Sequence, residues 1–152
     1  MAAAHQWWPI ETLSMAERTR ARRRGGPDID ALLTSELEAA GLGSDRLLLV
    51  GFSQGTMMSL YVGLRRPEAV AGISGMLVTP ERLQAEIRSR PPVLLIHGTE
   101  DDVVAIRSMS LAETALAEAG VGVETHVSPG VAHSVGQDGL AAATAFAKPV
   151  VG

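Results

Sequence analysis

Arg46-Leu47-Leu48-Leu49-Val50-Gly51-Phe52-Ser53-Gln54-Gly55-Thr56-Met57-Met58 is the stretch that decides the fold. Its first half is short and almost wholly apolar, the pattern of a strand covered on both faces. Its second half opens a helical segment, Gln54 to Arg66, stopped by Pro67. Between them stands Gly51-Phe52-Ser53-Gln54-Gly55, a G-x-S-x-G match. A serine at such a strand-to-helix turn sits on strained backbone, and the flanking glycines let the chain turn without side-chain clashes. Its hydroxyl is then exposed at the top of the sheet. The N–H of the next residue, Gln54, points toward a developing oxyanion.

The same alternation continues on either side. Upstream, Asp28 to Ala40 carries Ile29, Leu32, Leu33 and Leu37 at helical spacing, with Gly41 as the stop. Downstream, Val70 to Gly75 is a second apolar run. Thr79-Pro80-Glu81 predicts a helix start with Thr79 as N-cap and Pro80 in the first position. Val93 to Ile96 predicts a third strand, closed by His97-Gly98. Ile106 to Ala119 predicts a helix, followed by Gly120. Val121, Val123, Thr125 and Val127 alternate as a fourth strand, and Gln137 to Ala147 is a last helix stopped by Pro149. Strand and helix in this rhythm specify an α/β class: a mostly parallel sheet with helices on both faces. Residues 1–27 differ in composition, with Trp7 and Trp8, then Arg18, Arg20, Arg22, Arg23 and Arg24, then Gly25-Gly26-Pro27. They are expected to form an N-terminal covering segment, and residues 28–152 a minimal α/β domain.

Composition narrows the function classes. The chain has 152 residues, 46% of them hydrophobic and 20% charged, which suits one folded domain rather than a disordered chain. A net charge of −4 argues against nucleic acid as the main partner. The absence of cysteine excludes disulfides, thiolate zinc sites and a cysteine nucleophile. Apolar runs such as Leu47–Val50 and Val93–Ile96 are far short of the roughly 18 residues that span a bilayer. The start, Met1 to Gln6, lacks a basic region followed by a long apolar one, so a cytoplasmic protein is expected. No histidine has a metal-ligand partner at useful spacing, and no metal is expected.

In parallel sheets the working residues sit on loops beyond the carboxyl ends of the strands. A serine nucleophile needs a base, and the base needs an orienting carboxylate, in the order Ser, acid, His for hydrolases of this sheet type. The loop after the third strand, His97-Gly98-Thr99-Glu100-Asp101-Asp102-Val103-Val104, carries three consecutive acids. The loop after the fourth strand, Pro129-Gly130-Val131-Ala132-His133-Ser134, carries a histidine. Ser53, an acid of the 100–102 run and His133 therefore fall at one edge of the sheet. Among the other histidines, His5 is near the terminus, His126 lies mid-strand, and His97 is expected to hydrogen-bond within its loop.

These residues carry a resemblance. Residues 46–152 resemble the C-terminal two-thirds of the phospholipase/carboxylesterase family of α/β-hydrolases, which includes the acyl-protein thioesterases. The matching motifs are Gly-Phe-Ser-Gln-Gly at 51–55, His-Gly-Thr-Glu-Asp-Asp-Val-Val at 97–104 and Gly-Val-Ala-His-Ser at 130–134. Trp7-Trp8-Pro9 is also similar to a tryptophan-containing segment that precedes the nucleophile helix in bacterial members. The resemblance implies a reduced α/β-hydrolase fold, with Asp101 favoured over Asp102 as the acid and His133 as the base. It implies carboxylesters, lysophospholipids or acyl thioesters as substrates, and no cofactor. The expected activity is a serine carboxylesterase that hydrolyses short-to-medium acyl esters. Ser53 attacks, His133 moves the proton, Asp101 orients the ring and the Gln54 N–H holds the oxyanion. Met76, Leu77, Val104 and Ile106 follow strand ends and are candidates to line an acyl pocket or simply to pack the core; Trp7 joins them as a substrate-binding candidate.

The chain departs from the family pattern upstream. Members begin with further strands and an early His-Gly-rich loop that supplies a second oxyanion N–H, and nothing before Trp7 matches it. Gly25-Gly26 is a substitute donor by flexibility alone. Losing one such donor costs roughly 3–4 kcal/mol of transition-state stabilisation. The alternative function is therefore a catalytically impaired hydrolase that binds an acyl ligand or a protein. The strand before Ser53 would also lie at or near a sheet edge, where an apolar strand must be covered. That predicts either a homodimer or a cover built from Trp7, Trp8 and Ile10.

Overall fold

The computed structural model describes residues 6–8, 14–66, 69–73 and 75–151. Helix α1 spans Met15–Ala40, strand β1 Leu48–Phe52, α2 Gln54–Gly63, β2 Ala69–Ile73 and the single-turn α3 Leu83–Glu86. Strand β3 follows at Val93–Gly98, then α4 at Arg107–Glu118, β4 at Val123–Ser128 and α5 at Gln137–Val151. Among the described residues the sheet has four strands in the order β1-β2-β3-β4, all parallel. Its register pairs Gly51 with Gly72, Ile73 with Ile96, and Gly98 with Ser128.

Every residue of β3 is buried, as a strand with helices on both faces must be. Side chains alternate along it. Val93 and Leu95 join Leu60 of α2 and Leu64 just after it, Leu83 of α3, and Met109, Ala112 and Leu116 of α4. Leu94 and Ile96 meet Ala142, Ala143 and Phe146 of α5 on the opposite face. Each fully buried side chain here contributes about 1.5–3 kcal/mol. Strand β1 is an edge, and its Val50 and Phe52 are 58% and 40% exposed.

Helix α1 corrects one expectation. It begins at Met15, not Asp28, and runs unbroken through Gly25-Gly26-Pro27. Its start is a capping box: Ser14 Oγ accepts from the Glu17 N–H at 3.3 Å, and Glu17 Oε2 accepts from the Ser14 N–H at 3.1 Å. Its end is Gly41 in the left-handed region, with the Leu42 N–H reaching back to the Leu37 carbonyl at 3.0 Å. Interior glycine costs about 1 kcal/mol each and interior proline about 3 against alanine. Packing offsets this. A Cβ on Gly26 would lie 2.5 Å from Tyr61 Cε1, and one on Gly25 would lie 2.8 Å from the Trp7 ring and 3.3 Å from Met58 Cε. The two glycines let α1 lie against α2, and Ala21 and Ile29 close over Trp8, Met57, Met58 and Val78. Gly25-Gly26 is thus inside a helix and packed, which removes it as an oxyanion donor.

A second correction concerns Thr79. It stands at the predicted helix start but in the left-handed region, φ 57° and ψ 57°. Its hydroxyl donates to the Val78 carbonyl at 2.7 Å instead of capping, and Pro80 opens a 3-10 turn, Pro80–Arg82, ahead of α3. Among the described residues, no helix is long and apolar enough to cross a membrane.

Candidate active site

The site is assembled from the carboxyl ends of β1, β3 and β4. Ser53 occupies the single-residue turn between β1 and α2 at φ 54°, ψ −116°. Non-glycine residues at such angles cost on the order of 1–3 kcal/mol and persist where neighbours enforce them. Here the enforcement is visible. A Cβ on Gly51 would lie 2.4 Å from the Gly55 carbonyl and the Thr56 nitrogen, so strand and helix approach too closely for any side chain. Thr56 Oγ1 donates to the Gly51 carbonyl at 2.7 Å and locks that approach. Gly75 adds a third constraint, since its Cβ would lie 2.4 Å from Thr56 Cβ and 3.0 Å from the Ser53 carbonyl. A Cβ on Gly55 would meet nothing within 4 Å, so its smallness is not what the turn requires.

Asp101 follows β3, and its side chain is fully buried. Oδ1 accepts from the N–H groups of Val103 at 3.0 Å and Val104 at 2.8 Å. Oδ2 lies 2.9 Å from His133 Nδ1, with Oδ1 at 3.1 Å. A carboxylate accepts, so Nδ1 carries the proton, and Nε2 is left as the basic nitrogen. Burial pushes the Asp101 carboxyl up, but the Val104 N–H, the His133 ring and the Val103 N–H outweigh it and hold it below the usual aspartate value. Asp102 is exposed to solvent. The fold therefore brings Asp101, and not Asp102, to His133.

Two side chains to which the motifs gave no part in the triad lie against this pair. His97 is buried, and its Nε2 lies 2.6 Å from the Val104 carbonyl and 3.3 Å from Asp101 Oδ2. The carbonyl only accepts, so His97 Nε2 bears a proton and braces the acid loop from below. That agrees with the expectation that His97 bonds within its loop. The Phe52 ring, next to Ser53 in the chain, lies against His133 with centroids 4.8 Å apart. Its place between Gly51 and Ser53 was the available signal, since alternation on β1 fixes which way it faces. The β3 and β4 loops also interlock. The Glu100 N–H donates to the Val131 carbonyl at 3.0 Å and the Gly130 N–H to Thr99 Oγ1 at 2.8 Å. A Cβ on Gly98 would sit 2.0 Å from the Val131 carbonyl oxygen.

The pocket candidates divide. Val104 is buried, with its N–H on Asp101 and its carbonyl on His97. Leu77 packs on the core of α2, α3 and α4, and Met76 on the Trp8 cluster. Trp7 is 45% exposed, while Trp8 beside it is 4% exposed. Away from this edge, His126 pairs with Asp138 at 2.8 Å, and that hydrogen bond holds the Asp138 carboxyl below its ordinary value. Among the described residues no three histidine, aspartate or glutamate side chains converge as a metal site.

The family model for phospholipase/carboxylesterase proteins matches residues 1–150. The chain belongs to that family. Acyl-protein thioesterase 1 of Schizosaccharomyces pombe is 33% identical over 136 residues, which cover 85% of this chain and 60% of that protein. The crystal structure of esterase PE8 is 43% identical in sequence, with a TM-score of 0.90, and the match covers 96% of this chain and 70% of that one. Arabidopsis thaliana SOBER1 shares the fold at a TM-score of 0.75 and 23% identity. The four-stranded sheet is thus a reduced α/β-hydrolase fold. The chain spans 60% and 61% of the lengths of two fungal acyl-protein thioesterases that it matches.

Proposed function

We propose that this chain is a serine carboxylesterase acting on short-to-medium acyl esters through Ser53, His133 and Asp101. The observation that carries the reading is the hydrogen bond between buried Asp101 and half-buried His133, 2.9 Å long, on the same sheet edge as a serine held at φ 54°. Ser53 Oγ attacks the acyl carbon as His133 Nε2 takes its proton. Asp101 keeps the other proton on Nδ1 and stabilises the imidazolium. The Gln54 N–H donates to the oxyanion. His133 then protonates the leaving alkoxide, and an acyl-Ser53 intermediate remains. Water, deprotonated by the same Nε2, attacks that intermediate; the Ser53 Oγ–acyl bond breaks, Nε2 returns the proton to Oγ, and the acid leaves. Membership of a family whose members bear the names esterase and acyl-protein thioesterase supports oxygen esters or thioesters as the substrate class.

The test is initial-rate hydrolysis of a p-nitrophenyl ester series from acetate upward, with Ser53→Ala as control and organophosphonate labelling in parallel. Turnover lost in the variant, with label on Ser53 alone, is the expected result. Equal rates in both proteins and no label would overturn the esterase reading and favour a ligand-binding remnant. The packing of Gly25-Gly26 inside α1 keeps that second reading in view, because it removes these glycines as oxyanion donors beside the Gln54 N–H.

A further inference from the structure

The Gln54 side chain performs a task separate from that of its N–H. Its Oε1 accepts from the Trp7 N–H at 3.0 Å, and its Nε2 donates to the Trp8 carbonyl at 2.9 Å. One side-chain amide thus satisfies a donor and an acceptor on successive residues. Among side chains of this length only glutamine offers both functions, since glutamate lacks the donor and methionine lacks both. The segment it grips is fixed on two other sides. Trp8 is buried among Met57, Met58 and Val78, and the Trp7 ring edge fills the space that a Gly25 side chain would take. Trp7 itself stays 45% exposed, one hydrogen bond away from the residue that follows Ser53.

We propose that Gln54 is a positioning residue whose side-chain amide clamps the Trp7-Trp8 segment beside the nucleophile turn. The clamp makes Trp7 a fixed apolar wall that selects for longer acyl chains. This rests on the esterase reading for its kinetic part. The clamp itself is a statement about conformation and stands apart from catalysis. Glutamine at this position is then chosen for its side chain as well as tolerated for its backbone.

The experiment compares the wild-type chain, Gln54→Met, Trp7→Ala and the double variant. The kinetic readout is the ratio of kcat/KM for p-nitrophenyl octanoate to that for the acetate, taken within each protein. That ratio is insensitive to a uniform loss of oxyanion stabilisation. It should fall about tenfold in each single variant, the order expected when an apolar pocket contact is lost. It should fall no further in the double variant, because both changes remove the same wall. Acrylamide quenching of tryptophan emission should rise in Gln54→Met while far-UV circular dichroism stays that of the wild type. Gln54→Glu, which keeps only the acceptor, should also raise quenching. Unchanged quenching in Gln54→Met would overturn the clamp, whether or not the chain hydrolyses esters. Increased quenching with an unchanged ratio, or additive losses in the double variant, would overturn the selectivity role. A wild-type chain that hydrolyses no ester would overturn the esterase reading and the selectivity role with it, leaving the clamp to be judged by quenching alone.

Discussion

Asp101 and Asp102 are chemically identical neighbours that the fold treats in opposite ways. Asp101 is buried under the N–H groups of Val103 and Val104 and beside two imidazoles, while Asp102 faces water. If Asp101 orients His133, Asp101→Asn should lower kcat by about 10⁴-fold through the wrong imidazole tautomer. Asp102→Asn should change it less than about twofold, as is usual for surface substitutions. Steady-state kinetics of the two variants decide this, and equal losses would remove Asp101 from its role. The sequence could narrow the acid to a run of three but not choose among them by spacing. The choice depends on which carboxylate the turn through Val103 and Val104 carries inward. The tie of His97 to Val104 was legible only in kind, as a bond within its own loop.

Elements were legible where local pattern and packing agree. An apolar run, a G-x-S-x-G turn and an amphipathic helix point the same way, and β1, Ser53 and α2 lie where the residues place them. Gly25-Gly26-Pro27 reads locally as a break, yet α1 continues through it because Tyr61, Met58 and Trp7 need the space that two missing side chains leave. Thr79 is similar, since nothing in Thr79-Pro80-Glu81 announces a left-handed threonine. The turn at Ser53 gives a contrast at this scale. Gly51→Ala forces a methyl against the Gly55 and Thr56 backbone, which cannot yield, and should destabilise by at least about 1–3 kcal/mol. Gly55→Ala meets open space in the first turn of α2 and should stabilise by about 0.4–1 kcal/mol. Urea denaturation of both variants reads these shifts directly. A stable Gly51→Ala protein would mean that the strand and helix are less closely joined than described.

At the scale of the molecule, the sheet order leaves β1 at one edge with Val50 and Phe52 exposed. An apolar edge strand with free N–H and C=O groups is a template for another strand. The chain is expected to self-associate there. Sedimentation velocity should show a dimer at micromolar concentration, and Val50→Lys, which places a charge on that edge, should shift it toward monomer. A wild-type chain that stays monomeric to the highest soluble concentration would overturn this expectation. The all-parallel order followed from the alternation of strand and helix. The edge position of β1 was legible only through the family resemblance, because composition does not say which strand is outermost.

The interlocked loops after β3 and β4 have a dynamic meaning. Glu100, Thr99 and Gly98 are fastened to Gly130 and Val131 by two hydrogen bonds and a close backbone approach. Asp101 and His133 therefore ride on one clasp, whereas Ser53 belongs to a separate turn, itself locked between β1 and α2 by Thr56. The consequence is mechanical: any shift of the Asp101–His133 pair relative to Ser53 must slide the imidazole across the Phe52 ring that lies against it.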